Sequence, residues 1–234
     1  MKVLGLDTAT PLAGIALIDS ARPDDRCVLG EARHDTSGRG ADLLVAIDRL
    51  CREAGVAPRE LDAIAVGAGP GSFTGLRIGM ATGKGIAFAA GRPLWAVSSL
   101  AALADDARPE HAGVICAVLD ARRGEVFAGC FRDGAPLADE LVLAPGALAA
   151  WIASVAGDAA VRYAGNAIDA YPAQLGALAD HWLAPRTPSG RAVAQLALLG
   201  SRVDITRAGA PTYIRPSEAE VMYPDGIPGA LRKP

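Results

Sequence analysis

The densest chemical signal in the chain is a run of nine residues, Gly67-Ala68-Gly69-Pro70-Gly71-Ser72-Phe73-Thr74-Gly75. Glycines let backbone N–H groups come close to an anion, and a helix beginning here would offer the positive end of its dipole to the same place. The run matches neither common phosphate loop. A triphosphate-binding loop needs Gly-x4-Gly-Lys-Ser/Thr, whereas Gly79 and Gly83 stand one position too close and Lys84 is followed by Gly85. The dinucleotide pattern fails too, because Thr74 occupies the third glycine position. Anion contact and a tight strand-to-helix turn are both open readings of this segment.

Asp7 ends the apolar run Val3-Leu4-Gly5-Leu6, with Thr8 and Thr10 just beyond it. Such a group can hold a hydrated magnesium ion and hydrogen-bond a phosphate, or it can simply cap its own turn. Asp120 ends an analogous run and opens Asp120-Ala121-Arg122-Arg123-Gly124-Glu125. Two carboxylates at equivalent strand ends facing one cleft would make a phosphate site, and a polar hairpin turn is the alternative. Other chemistries fall away. His34, His111 and His181 are too far apart in sequence to present two imidazoles at helical spacing to a metal. No Gly-x-Ser-x-Gly elbow occurs, and Cys27, Cys51, Cys116 and Cys130 form no Cys-x-x-Cys pair.

The elements that must position these residues follow from periodicity. Strands are predicted over 3–7, 13–19, 27–33, 62–67 and 93–97. Leu43, Leu44, Ile47, Leu50 and Cys51 recur at three and four residues and predict an amphipathic helix over 42–54. A second helix is predicted over 74–90, and Ser98 or Ser99 caps a further short one. The same order returns with strands over 114–120, 125–131, 137–143 and 161–164 and a helix over 146–156. Duplicated topology predicts two related lobes with a cleft between them, divided as 1–104 and 105–234. The tail over 211–234 holds five prolines and little periodicity, so loop is expected there.

Gly75, Gly79, Gly83 and Ala87 recur every four residues along one face of the second helix. An interior glycine costs about 1 kcal/mol against alanine, so Gly79, Gly83 and Gly85 together cost roughly 3 kcal/mol. Close backbone approach of another element offsets such a cost, either inside the same lobe or from a partner helix.

Composition bounds the rest. The chain has 234 residues with 51% hydrophobic and 21% charged, which fits a globular protein rather than a disordered or fibrous one. A net charge of −3 offers no basic field to hold nucleic acid by counterion release. No stretch approaches the roughly 20 uncharged apolar residues that span a bilayer, and Asp7 interrupts the first apolar run early, so a soluble cytoplasmic protein without membrane association is expected.

Gly5-Leu6-Asp7-Thr8-Ala9-Thr10, the glycine run continued through Leu76-Arg77-Ile78-Gly79, the stretch Asp120 to Val126, and Tyr213-Ile214-Arg215-Pro216 together resemble the bacterial TsaB (YeaZ) family. The resemblance implies an α/β, actin-like (RNase H-like) duplicated ββαβα-type two-lobe fold, as in acetate and sugar kinases. It implies a part in making N6-threonylcarbamoyladenosine (t6A) at position 37 of tRNAs. In that family the related TsaD subunit transfers the threonylcarbamoyl group, while TsaB is a non-catalytic scaffold that pairs with TsaD, joins the ATPase TsaE and meets tRNA indirectly. TsaD holds its metal with a His-x-x-x-His helix. The matching stretch here, 36–44, has no histidine pair, and Arg39 or Gly40 stands where family members often carry a single histidine.

No catalytic residue, no metal site and no required cofactor are therefore expected, with weak nucleotide binding left open at Asp7, Thr8, Thr10 and Asp120. Family subunits pair through the two first-lobe helices. That places the expected partner surface on Leu43, Leu44, Ile47, Gly75, Leu76, Gly79, Met80, Gly83 and Ala87, with homodimerisation of the free chain through the same face. The alternative is a stand-alone ATP-dependent phosphotransferase or ATPase of the same fold, with Asp7 and Asp120 around magnesium.

Overall fold

The computed structural model describes residues 1–23, 27–36, 42–111, 113–206 and 209–214. The first lobe opens with β1 (Lys2–Asp7), β2 (Leu12–Asp19) and β3 (Val28–Asp35), followed by α1 (Asp42–Glu53), β4 (Ala63–Gly67), α2 (Phe73–Ala90), β5 (Leu94–Val97) and α3 (Ser99–Ala107). Next come β6 (Val114–Arg122), β7 (Glu125–Arg132), β8 (Ala135–Pro136), β9 (Leu141–Leu143), α4 (Leu148–Ala156) and β10 (Val161–Ala164). The chain ends its regular structure with two single turns, α5 (Ala167–Ala170) and α6 (Pro172–Leu175), then α7 (Gly190–Leu198) and β11 (Val203–Asp204).

The first sheet runs β11-β5-β4-β1-β2-β3, with β1, β4 and β5 parallel and β2 antiparallel to both β1 and β3. The second runs β10-β6-β7-β8, with β9 also pairing β7, and repeats the β4-β1-β2-β3 order of the first. The duplication is the one periodicity predicts, and its RNase H-like, actin-like form is the one the resemblance implies. Side-chain alternation fills it. Leu4, Leu6, Ile15, Leu17, Ile64 and Val66 meet α1 and α2 on one face of the first sheet, while Val3, Ala63, Ala65 and Val97 meet α7 on the other. In the second sheet Ile115, Ala117 and Leu119 pack on α3, and Cys116 and Val118 on α4.

Helix ends follow local chemistry. Ser72 Oγ accepts from Gly75 N at 3.2 Å to start α2, and Gly91 closes it at φ +63°, with Arg92 N bonding the Ala87 carbonyl at 2.9 Å. Ser98 is the cap of α3, accepting from Ala101 N at 3.0 Å.

Three expectations need correction. Of the strand predicted over 137–143 only β9 at its end forms, because the chain bends at 137–138 and Glu140 meets the Ser98 hydroxyl. The boundary at 104 falls inside α3, and α7 and β11 return to the first sheet, so the lobes are not two contiguous halves. Most of the tail read as loop lies outside the described residues, as do Arg215 and Pro216 and, in the stretch 36–44, residues 37–41.

The third correction concerns the glycine stripe, which faces inward. A Cβ at Gly75 would collide with the Thr8 carbonyl oxygen, one at Gly79 with Thr8 Oγ1, and one at Gly83 would lie 2.5 Å from Val66 Cγ1. The helix therefore rests on β1, its turn and β4, and the backbone approach inferred from the sequence is made inside the lobe. The opposite face of the sheet uses the same device, where Gly5 and Gly14 admit the backbone of Gly190 at the start of α7. Replacing Gly79 by alanine is expected to destabilise the isolated chain by about 1–3 kcal/mol through overpacking, despite alanine's better helix propensity. Urea denaturation checks this, and an unchanged or raised midpoint would contradict the packing.

Candidate functional site

Asp7 is buried at the end of β1, 2% exposed. Its Oδ1 accepts from Ala9 N at 2.7 Å, an Asx turn two residues on, and its Oδ2 accepts from Ser99 Oγ at 2.6 Å. Gly67 gives the carboxylate its room, since a Cβ there would collide with Oδ2. Ser99 Oγ also accepts from Gly69 N at 3.2 Å, while Ser99 N donates to the Gly69 carbonyl at 2.8 Å. One hydroxyl thus joins β1, the glycine loop and α3. Burial raises the Asp7 pKa from the ordinary aspartate range, and the Ser99 and Ala9 hydrogen bonds oppose that rise.

The neighbouring threonines are committed in the same way. Thr8 Oγ1 donates to the Gly75 carbonyl at 2.8 Å and Thr10 Oγ1 to the Leu12 carbonyl at 3.0 Å, with both residues buried. Ser72 N donates to the Ala9 carbonyl at 2.7 Å, and Gly71 leaves no room for a Cβ against Ala9. Of the two readings of the glycine run, the geometry is that of the tight turn: its glycines are places where the loop touches the turn after β1. Asp120 shows the same local pattern, with Oδ1 accepting from Arg122 N at 2.7 Å and from the Tyr171 hydroxyl at 2.9 Å, and Oδ2 facing Arg122 Nε at 3.3 Å. Asp7, Thr8 and Thr10 come together, but among the described residues no hydrogen bond or ion pair joins Asp120 to them. Each carboxylate thus caps its own turn, one per lobe.

A strap that periodicity did not reveal crosses the outside of this loop. Thr212 N donates to the Ala68 carbonyl at 2.6 Å, and Lys84 Nζ to the Gly209 carbonyl at 2.6 Å. The Tyr213 ring lies 5.1 Å from that of Phe73, its hydroxyl accepts from Arg77 Nε at 3.3 Å, and the Arg77 guanidinium stacks 3.9 Å over Phe73. The only sequence signal for it was the Tyr213-Ile214 motif.

Most residues expected at a partner surface face inward. Leu43, Ile47, Gly75, Leu76, Gly79, Met80, Gly83 and Ala87 are buried, because the apolar stripe that defines each helix is the one its own sheet covers. Leu44 remains outside at 54% exposure, joined by Val45 at 67% and Phe88 at 92%. Between α1 and the end of α2 lies a groove of about 730 Å³, with Leu44, Val45, Cys51, Pro58, Ile86 and Ala89 in its walls. Ile47 reaches the groove floor but is itself 4% exposed. Of the residues expected at a partner surface, only Leu44 is exposed.

Among the described residues no helix is long and apolar enough to cross a membrane, and no group of three or more His, Cys, Asp or Glu is placed to hold a metal ion.

Comparison with known proteins agrees with this architecture. A family model described as TsaD, tRNA N6-adenosine threonylcarbamoyltransferase, matches residues 40–146. The tRNA threonylcarbamoyladenosine biosynthesis protein TsaB of Bacillus subtilis is 33% identical over 142 residues, 61% of this chain and 60% of that protein. The Escherichia coli protein of the same name is 34% identical over 128 residues, 54% of this chain and 53% of that one. YeaZ from Pseudomonas aeruginosa superposes with a TM-score of 0.70 at 31% identity, covering 91% of this chain and 99% of that one. A further Pseudomonas aeruginosa structure, described as similar to peptidase YeaZ, gives 0.72 at 32% identity over 92% and 99%. The chain belongs to the TsaB (YeaZ) family. Its matched segments span between about half and three fifths of the lengths of these curated relatives.

Because the folded pKa of Asp7 lies above its unfolded value, ionisation favours the unfolded chain. Stability from this group is complete at low pH, starts to fall as pH rises past the ordinary aspartate value of about 3.9, and is fully lost once pH passes the raised folded value. Asp7→Asn, which keeps the shape, is expected to gain on the wild type steadily over that rise. Urea midpoints measured from pH 4 to pH 8 check this, and a constant difference would contradict it.

Proposed function

We propose that this chain is the non-catalytic scaffold of the machinery that makes t6A at position 37 of tRNA, pairing with the TsaD threonylcarbamoyltransferase and joining the ATPase TsaE. Family membership supports the pathway. The 36–44 stretch supports the division of labour, since a chain without the histidine pair lacks the imidazole ligands by which TsaD holds its metal. The net charge of −3 supports an indirect relation to tRNA, with a partner carrying most of the phosphate contacts.

The observation that carries the reading is the exposed apolar surface on α1 and α2. Leu44, Val45 and Phe88 stand out from two helices whose buried faces are fully used by their own sheet. Exposed apolar groups of this kind, with Leu44 and Val45 also lining a groove, mark a surface that binds another protein. Each partner helix would lay its apolar side along the groove wall formed by Val45 and Ile86. In the absence of TsaD the same face pairs two copies of this chain.

Val45→Asp and Phe88→Glu are expected to leave the melting temperature within a few degrees of wild type, because both side chains are exposed, and to weaken TsaD binding at least tenfold. Titration of purified TsaD with each variant measures the loss, and wild-type affinity in both would overturn the proposal. The isolated chain is expected to show no magnesium-dependent ATP hydrolysis above a buffer control, and turnover lost in Asp7→Asn would favour the ATPase alternative.

A further inference from the structure

Helix α2 carries two cations, Arg77 and Lys84, and no carboxylate along its 18 residues. Both are exposed, and with Ala81 and Phe88, also exposed, they recur at three- and four-residue steps along the outer face of the helix. Lys84 therefore stands one turn before Phe88, which is 92% exposed. Helix α1 answers its own charges. Arg52 pairs with Asp48 at 2.8 Å and Arg49 with Glu53 at 3.8 Å, while Asp42 sits in the first turn, at the positive end of its own helix dipole.

Arg77 and Lys84 meet no carboxylate among the described residues. Each donates instead to a neutral oxygen of the strap at 209–213, Lys84 Nζ to the Gly209 carbonyl at 2.6 Å and Arg77 Nε to the Tyr213 hydroxyl at 3.3 Å. An ammonium has three donors and a guanidinium five, so both keep donors to spend. The strap also holds the two heads in place, which lowers the entropy lost when a partner orders them. Among the described residues of the two-helix face, the charge left without a counter-charge is thus basic, in a molecule whose net charge is −3.

We propose that Arg77 and Lys84 choose the occupant of this face: an acidic helix of another protein, with a carboxylate meeting Lys84, in preference to a second copy of this chain. The inference rests on the reading of α1 and α2 as the TsaD-binding surface. A carboxylate brings Lys84 a full opposite charge, which the strap's carbonyl lacks. Arg77, seven residues and about 10 Å back along the helix, adds attraction at longer range while salt is low. A two-fold pair sets the same patch against itself, so the strip finds like charge on the other α2 and already paired charge on the other α1. Two cations interleaved with Ala81 and Phe88 would neutralise only about two phosphates, which favours a protein over RNA as the occupant.

Calorimetric titration of the full chain with purified TsaD, and sedimentation of the chain alone, each in about 0.05 M and about 0.5 M salt, test this choice. TsaD binding is expected to weaken at least about threefold at the higher salt and at least about tenfold in Lys84→Glu, with Lys84→Arg close to wild type. Self-association is expected to move the other way, tightening at least about threefold with salt and in Lys84→Glu. Glutamate and arginine both suit an exposed helix position, so the melting temperature of each variant should stay within a few degrees of wild type. TsaD affinity unmoved by salt and by Lys84→Glu, but still weakened by Phe88→Glu, would overturn this inference and leave the α1–α2 reading standing. Self-association weakened by salt or by Lys84→Glu would overturn it too, as would tRNA binding by the isolated chain that Lys84→Glu abolishes. No TsaD binding by the wild-type chain at either salt would overturn both.

Discussion

Helix α2 can lie against β1 and the turn beyond it only because no side chain stands between them at Gly75 and Gly79, where a Cβ would collide with the carbonyl oxygen and hydroxyl of Thr8. That contact fixes much else. It sets the Thr8 Oγ1 to Gly75 hydrogen bond, brings the loop at Gly71 onto Ala9, and leaves just enough space at Gly67 for the Asp7 carboxylate to reach Ser99. The helix loses roughly 3 kcal/mol of intrinsic propensity at Gly79, Gly83 and Gly85, and the dispersion gained by packing backbone on backbone offsets it. Gly5, Gly14 and Gly190 repeat the arrangement for α7 on the other side of the same sheet.

A consequence is that the residues best suited to chemistry are consumed by structure. Asp7, Thr8 and Thr10 spend their hydrogen bonds on their own turn, on α2 and on α3, and the Asp120 turn is closed by Arg122 and Tyr171. What the molecule presents outward is instead apolar surface on α1 and α2. The proposed pairing with another subunit rests on that apolar surface, Leu44, Val45 and Phe88.

Element types were legible in the sequence because period and punctuation agreed. The i, i+3, i+4 recurrence from Leu43 to Cys51 reads as a helix, and the short apolar runs that end at Asp7 and Asp120 read as buried strands. The four-residue spacing of Gly75, Gly79 and Gly83 was equally clear, yet it says only that these positions share a face, not which element covers that face. Burial by Thr8 and Val66 is a tertiary fact, made by a strand some seventy positions earlier and by β4. The Asp7–Ser99 bond was hidden for the same reason. The strand over 137–143 forms only at β9 because apolar residues at its ends masked Glu140, whose carboxyl is drawn to Ser98.

Hydrogen exchange of the backbone, measured for the chain alone and in the presence of saturating TsaD, tests the central claim most directly. Added protection confined to α1 and the last turns of α2, with α7 unchanged, is the predicted result. Complex formation with protection elsewhere, and none across α1 and the end of α2, would contradict it.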